Sequence, residues 1–166
     1  MTLNYILVTL HLLPATIWFG GNIFFVLIIR FLSRNDSLKQ QKPQIIYSLA
    51  LEFRKYSYFL LLISFLSGVL LVLQRGYTMT DILHFTSDNS GFLRTVVLKF
   101  SLFFFLVILQ IYHDFYLGPK SFELKKDQIE LKEKFRKSSS ILGRFGFLLT
   151  LSLFLLGIAI SRGLYF

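Results

Sequence analysis

Four stretches of the chain are apolar for about twenty residues or more, and the charged residues gather between them. From Met1 to Ile29 there is no Asp, Glu, Lys or Arg. A second uncharged run lies between Lys55 and Arg75, a third between Arg94 and Asp114 with Lys99 inside it, and a fourth between Arg144 and Arg162. A hydrocarbon core about 30 Å thick is crossed by roughly 20 such residues in a helix. The pattern predicts four membrane spans, at about residues 5–31, 56–74, 94–117 and 143–161, joined by connections at 32–55 and 118–142. The first run lacks a basic start and a small-residue cleavage site, so it is read as a span in preference to a secretory leader. The expected fold is all-α: a single integral membrane domain over residues 1–166, built as a four-helix bundle. Residues Ile82 to Gly91 read as an exposed loop.

Composition agrees, and charge adds direction. Apolar residues make up 54% of the chain and charged residues 16%, a balance that suits lipid in place of water. The net charge of +9 would suggest nucleic acid in a soluble protein. Here 14 of the 18 basic residues border the two connections, six from Arg30 to Lys55 and eight from Lys120 to Arg144. The excess is therefore a topology signal. The positive-inside rule places both connections in the cytoplasm and both termini outside, and no nucleic acid is needed to explain the charge. Glu130 with Lys134 and Glu133 with Lys137 are spaced i,i+4, which predicts that the second connection continues a span as a helix against anionic lipid. With no cysteine, disulfides, thiolate metal sites and cysteine nucleophiles are excluded.

Polar residues inside the spans are the candidates for chemistry. At 100° per residue His11, Ala15, Trp18, Asn22, Phe25 and Ile29 share one face of the first span, within about 40°. Lys99, Phe103, Leu106, Gln110, His113 and Leu117 form a stripe on the third. Ser57, Ser64 and Gly68 line the second, and Gly143, Gly146, Thr150, Gly157 and Ser161 line the fourth; small residues allow close helix approach. Counting the rise from the span ends puts His11 and Lys99 roughly 8 to 10 Å below the outer surface, and His113 about 21 Å deeper than Lys99. One metal ion or haem iron is therefore not expected to take both His11 and His113.

A lysine inside the bilayer is unfavourable by about 2.5 to 3.5 kcal/mol and marks a functional site unless its stem snorkels to the headgroups. For His11 the readings are a haem or metal ligand, a proton-transfer group, or a hydrogen bond to a neighbouring helix. His113, followed by Asp114, reads as a metal-entry or proton-exit group or as an interfacial anchor. Trp18 packs between helices or stacks on a flat ligand, with Asn22 beside it.

The stretch Leu10-His11-Leu12-Leu13-Pro14-Ala15-Thr16-Ile17-Trp18-Phe19-Gly20-Gly21, followed by Phe24, Phe25 and Arg30, resembles the first helix of two related bacterial families. These are the copper resistance protein D family and the HemJ-type protoporphyrinogen oxidases. The Lys99 helix ending in Tyr112-His113-Asp114-Phe115-Tyr116-Leu117-Gly118-Pro119-Lys120, and Leu142-Gly143-Arg144 at the start of the fourth span, extend the resemblance over all four spans. The copper branch implies a multi-pass protein of the bacterial inner membrane in copper transport or homeostasis, with His11 and His113 as metal ligands. The haem branch implies an oxidoreductase in which His11 binds haem b and Lys99 holds substrate or a propionate, with Trp18 and Asn22 lining the cofactor. Copper(I) prefers thiolate and thioether ligands, and Met1 and Met79 are the only methionines. Copper handling, with His11 and Lys99 as the main intramembrane site, is the leading expectation; the haem oxidoreductase is the alternative, and an accessory subunit without chemistry of its own is the third reading. The expected partners are membrane lipid and a copper ion or porphyrin; the sequence leaves a homo-oligomer open.

Overall fold

The computed structural model describes residues 2–84, 91–123 and 129–165, and every regular element among them is helical. The helices are α1 (Thr2–Arg34), α2 (Lys42–Gln74), α3 (Met79–His84), α4 (Gly91–Tyr112), α5 (Gly118–Glu123) and α6 (Ile129–Ser161). A 3-10 turn at Asp36–Leu38 links α1 to α2, and a π-helical turn at His113–Leu117 joins α4 to α5. Four helical segments, Thr2–Arg34, Lys42–Gln74, Gly91–Ser121 and Ile129–Ser161, are long and apolar enough to cross a membrane. The all-α class and the four spans are those that the hydropathy predicts. Residues 85–90, most of the expected outer loop, lie outside the described residues, as does the His84 side chain; Ile82 to His84 are helical.

The helices run past the predicted spans. At 33 residues each, α1, α2 and α6 are about 50 Å long, well beyond a 30 Å hydrocarbon core. Most of the expected 32–55 connection is the first part of α2. Its start is set by Pro43, whose missing N–H is tolerated in a first turn. The second connection continues the fourth span, since α6 begins at Ile129. The ion pair formed there is Glu133 with Arg136, one turn apart at 4.0 Å. Two helices end on glycines in the left-handed region, Gly76 (φ 91°) after α2 and Gly163 (φ 72°) after α6. After α6, Leu164 N–H donates to the Ala159 carbonyl and Gly163 N–H to the Ile160 carbonyl, closing a Schellman cap. The short α3 starts with a capping box: Asp81 accepts from the Thr78 N–H, and the Thr78 hydroxyl accepts from the Asp81 N–H.

The chain divides into two compact units, Met1–Arg94 and Thr95–Phe166. In the first, α1 and α2 form an antiparallel hairpin. His11 meets Ser64, Phe25 meets Phe53 and Ser33 meets Lys42 along its length. The inward residues of α1, Leu7, Pro14, Trp18 and Leu32, fall at the three- and four-residue steps of a helix-packing seam. Leu10, Leu13, Ile17, Phe24, Leu27 and Phe31 stay exposed on the far side, as a surface that meets lipid tails requires. Gly21 lets the Phe53 ring reach the α1 backbone, where a Cβ would collide with it. In the second unit α4 and α6 run antiparallel, with Lys99 beside Gly157, Phe105 beside Phe145 and His113 beside Ser139.

Candidate functional site

His11 is half-buried on the seam between α1 and α2. Its Nδ1 lies 2.7 Å from the Ser64 carbonyl oxygen. A carbonyl only accepts, so the ring proton sits on Nδ1 and the basic electron pair of the neutral imidazole is on Nε2. The Ser67 hydroxyl, which donates to the Ile63 carbonyl at 2.6 Å, lies 3.4 Å from the same Nδ1. Gly68 supplies the space: a Cβ there would stand 2.9 Å from His11 Cε1 and 3.2 Å from Nδ1. The imidazole is thus turned and held by the second helix, and its tautomer is fixed by a backbone group. This is how proteins orient metal-ligating histidines. A hydrogen bond to a neighbouring helix and a ligand role are alternatives on sequence alone; the structure shows the hydrogen bond.

Trp18 lies two turns further along α1 and is 5% exposed. Its indole Nε1 has no hydrogen-bond partner among the described residues. Asn22 donates from Nδ2 to the Trp18 carbonyl at 2.8 Å, a contact within its own helix.

In the second unit, Lys99 projects from α4 to α6. Its Nζ would stand 3.1 Å from a Cβ at Gly157, so the glycine makes room for the ammonium. No hydrogen bond or ion pair to Lys99 is found among the described residues.

Further along the same hairpin a polar chain crosses from α4 to α6. Gln110 donates to Asp114 Oδ2 at 3.0 Å, Asp114 Oδ1 lies 2.9 Å from His113 Nδ1, and His113 Nε2 lies 3.0 Å from the Ser139 hydroxyl. Carboxylate, imidazole and hydroxyl follow in the order of a hydrolase triad, but Ser139 is in mid-helix, where backbone N–H groups are used within the helix. No oxyanion-stabilising pair stands beside it among the described residues, and the His113–Ser139 contact ties the end of α4 to α6. The π-helical turn gives this cluster its shape. Pro119 has no N–H for the carbonyl four residues earlier, and the turn widens so that the Gly118 N–H donates to the His113 carbonyl. Beyond it Lys120 stands over the Tyr116 ring at 4.0 Å.

The predicted site residues therefore fall into three groups. His11, Trp18 and Asn22 share α1, while Lys99 and His113 belong to the second unit, 14 residues or about 21 Å apart on one helix. Among the described residues no three His, Cys, Asp or Glu side chains gather as a metal site. Ser139 is not among the expected residues; it sits in the basic connection that is expected only as a helical extension against anionic lipid. Ser64 and Gly68, expected as packing residues, also position the histidine. No family model, curated protein or solved structure matches the chain.

Proposed function

We propose that the protein is a multi-pass haem protein of the bacterial inner membrane, an oxidoreductase of the protoporphyrinogen oxidase type, in which His11 is the axial ligand. The observation that carries this reading is the Nδ1–H to Ser64 carbonyl bond, which turns one imidazole so that Nε2 is the ligating atom. A haem asks for one such protein ligand, whereas a copper path asks for several. The copper role implied by the copper resistance protein D resemblance would rest on His11 and His113, and these lie in separate units without a third ligand beside either among the described residues. The bound haem would supply one-electron redox chemistry. The chain's own residues orient the imidazole through Ser64 and Gly68; in the second unit, Lys99 carries a cation of the kind that binds a carboxylate. The 14 basic residues on the two connections support cytoplasmic placement of both and of neither terminus.

Protein purified in detergent from cells supplied with haem precursor is expected to show a Soret band that His11→Ala removes. A colourless preparation from haem-replete cells overturns the haem reading. Stoichiometric copper lost on His11→Ala or His113→Ala would favour copper handling instead. A reporter fused after Phe166 is expected on the outer side.

A further inference from the structure

The contacts between α1 and α2 fix which residues of the two helices share a level in the bilayer. His11 meets Ser64, Gly21 and Phe25 meet Phe53, and Ser33 meets Lys42. The helices are antiparallel, so Lys55 lies level with about Gly21, and Arg75 with the start of α1. Between those levels neither helix carries a charge: residues 56–74 of α2 run beside about 2–20 of α1. At 1.5 Å per residue this band is about 29 Å tall, the thickness of a hydrocarbon core. What remains, Gly21 to Arg34 on α1 and Lys42 to Lys55 on α2, projects about 20 Å past the hydrocarbon on the side of the basic connections. Sinking the hairpin deeper would carry Glu52 and Lys55 into lipid, where charge is unfavourable. These two form an ion pair at 2.7 Å, and both side chains are exposed.

The uncharged run of α1 continues to Ile29, so the projecting tip is apolar where it meets water. Phe24, Leu27 and Phe31 are 60%, 55% and 60% exposed. Steps of three and four residues place them in one ridge, which prolongs the lipid-facing row of Leu10, Leu13 and Ile17 beyond the reach of lipid tails. Phe31 stands about 15 Å past the hydrocarbon edge, whereas the headgroup layer is only about 6 Å deep. Arg30 and Arg34 are exposed along one flank of the ridge and have no acidic partner among the described residues. Large apolar side chains aligned on a helix in water, with cations beside them, form the kind of face that another helix covers.

We propose that this tip is a docking surface for an amphipathic helix of a partner protein, whose apolar face covers Phe24, Leu27 and Phe31 and whose carboxylates pair with Arg30 and Arg34. Charge decides between the occupants. A second copy docked ridge to ridge would set the arginines of one chain against those of the other, and like charges in an interface are unfavourable. Anionic lipid would match the arginines, but its tails end short of Phe31. An acidic helix satisfies both parts of the surface.

The chain has no cysteine, so a single one can be introduced as a reporter. Phe31→Cys and Leu27→Cys, each in the full chain, are reacted with a water-soluble maleimide in two settings. One is purified protein at one copy per phosphatidylcholine nanodisc; the other is opened membranes of the cells that make the protein natively. In nanodiscs both are expected to react readily, like Ser37→Cys in the exposed connection, while Ile17→Cys on the lipid-facing row stays unreactive. In native membranes the two ridge positions are expected to react about tenfold more slowly, as for nine-tenths occupancy, with Ser37→Cys unchanged. Reversing the flank with Arg30→Glu and Arg34→Glu should restore the nanodisc rate. Failure of both ridge cysteines to react in nanodiscs overturns the proposal, as do equal rates in the two settings or protection that survives the charge reversal. Protection that appears in nanodiscs holding two copies would assign the ridge to self-association and overturn it as well. A missing Soret band bears on the haem reading alone and leaves these rates as they are.

Discussion

Replacing Gly68 by alanine places one methyl group where the His11 ring lies. The new Cβ would stand 2.9 Å from Cε1 and 3.2 Å from Nδ1. Two opposed effects follow. Alanine in a helix interior is favoured over glycine by about 1 kcal/mol. Overpacking a fitted site costs about 1 to 3 kcal/mol, and the imidazole can yield only by lengthening its 2.7 Å bond to the Ser64 carbonyl, worth about 1 kcal/mol. Gly68→Ala alone is therefore expected to destabilise by about 0 to 3 kcal/mol, a range too wide to be decisive. A double-mutant cycle removes the ambiguity, because the helix preference cancels between backgrounds. In His11→Ala the obstacle is gone, and the same substitution should be neutral or stabilising by up to about 1 kcal/mol. The expected coupling is about 1 to 3 kcal/mol, measured by reversible unfolding in mixed micelles with Trp18, the only tryptophan, as the fluorescent reporter. Labelled-histidine NMR should show the loss of the fixed Nδ1–H tautomer in Gly68→Ala. Coupling below about 0.5 kcal/mol with an unchanged tautomer would refute the claim that Gly68 positions the His11 ring.

Three other substitutions have signs that the structure sets. Lys99→Met removes an ammonium from the bilayer and is expected to stabilise the protein by up to about 3 kcal/mol and, under the proposed oxidase role, to abolish protoporphyrinogen oxidation; equal loss of stability and activity would mark Lys99 as structural. Ser139→Ala should destabilise by about 0.5 to 1.5 kcal/mol, with little further effect in a His113→Ala background, and full additivity in unfolding measurements would count against the cross-helix staple. Gly163→Ala, at φ 72°, should fray the end of α6, seen as faster amide exchange at Leu164, whereas an unchanged rate would show that the cap does not hold the helix end.

The spans are legible in the sequence because lipid demands apolar length, and a helix that meets water seldom runs twenty residues without a charge. The helix ends are less so. Lys42 to Lys55 reads as a charged connection by hydropathy alone, yet an N-terminal Pro43 and an apolar seam continuing through Phe53 keep it helical. His11, Trp18 and Asn22 are visible as one polar face, but their individual roles are not. Which atom His11 bonds depends on the register between two helices, and that register is set by close approaches at Gly21 and Gly68. The π-helical turn has a sequence signal in Gly118-Pro119. Its consequence for His113 does not, since contact with Ser139 depends on how far the widened turn swings the ring. Lys99 stands out as a charge out of place, while Gly157, which makes space for it, looks like any small packing residue.

A π-helical turn is an α-helix carrying one surplus residue, so the His113–Leu117 segment can be regarded as an insertion that the fold has kept. Excising one residue within it, Phe115 for instance, would restore an unbroken rod and rotate everything beyond it by about 100°. Lys120 would leave the ring of Tyr116, and α5 would face another way. Variation in length at this point would therefore be poorly tolerated, since Leu117 at its end is buried. Sequences with this architecture should preserve the residue count between the imidazole and the proline more strictly than the identity of the residues between them.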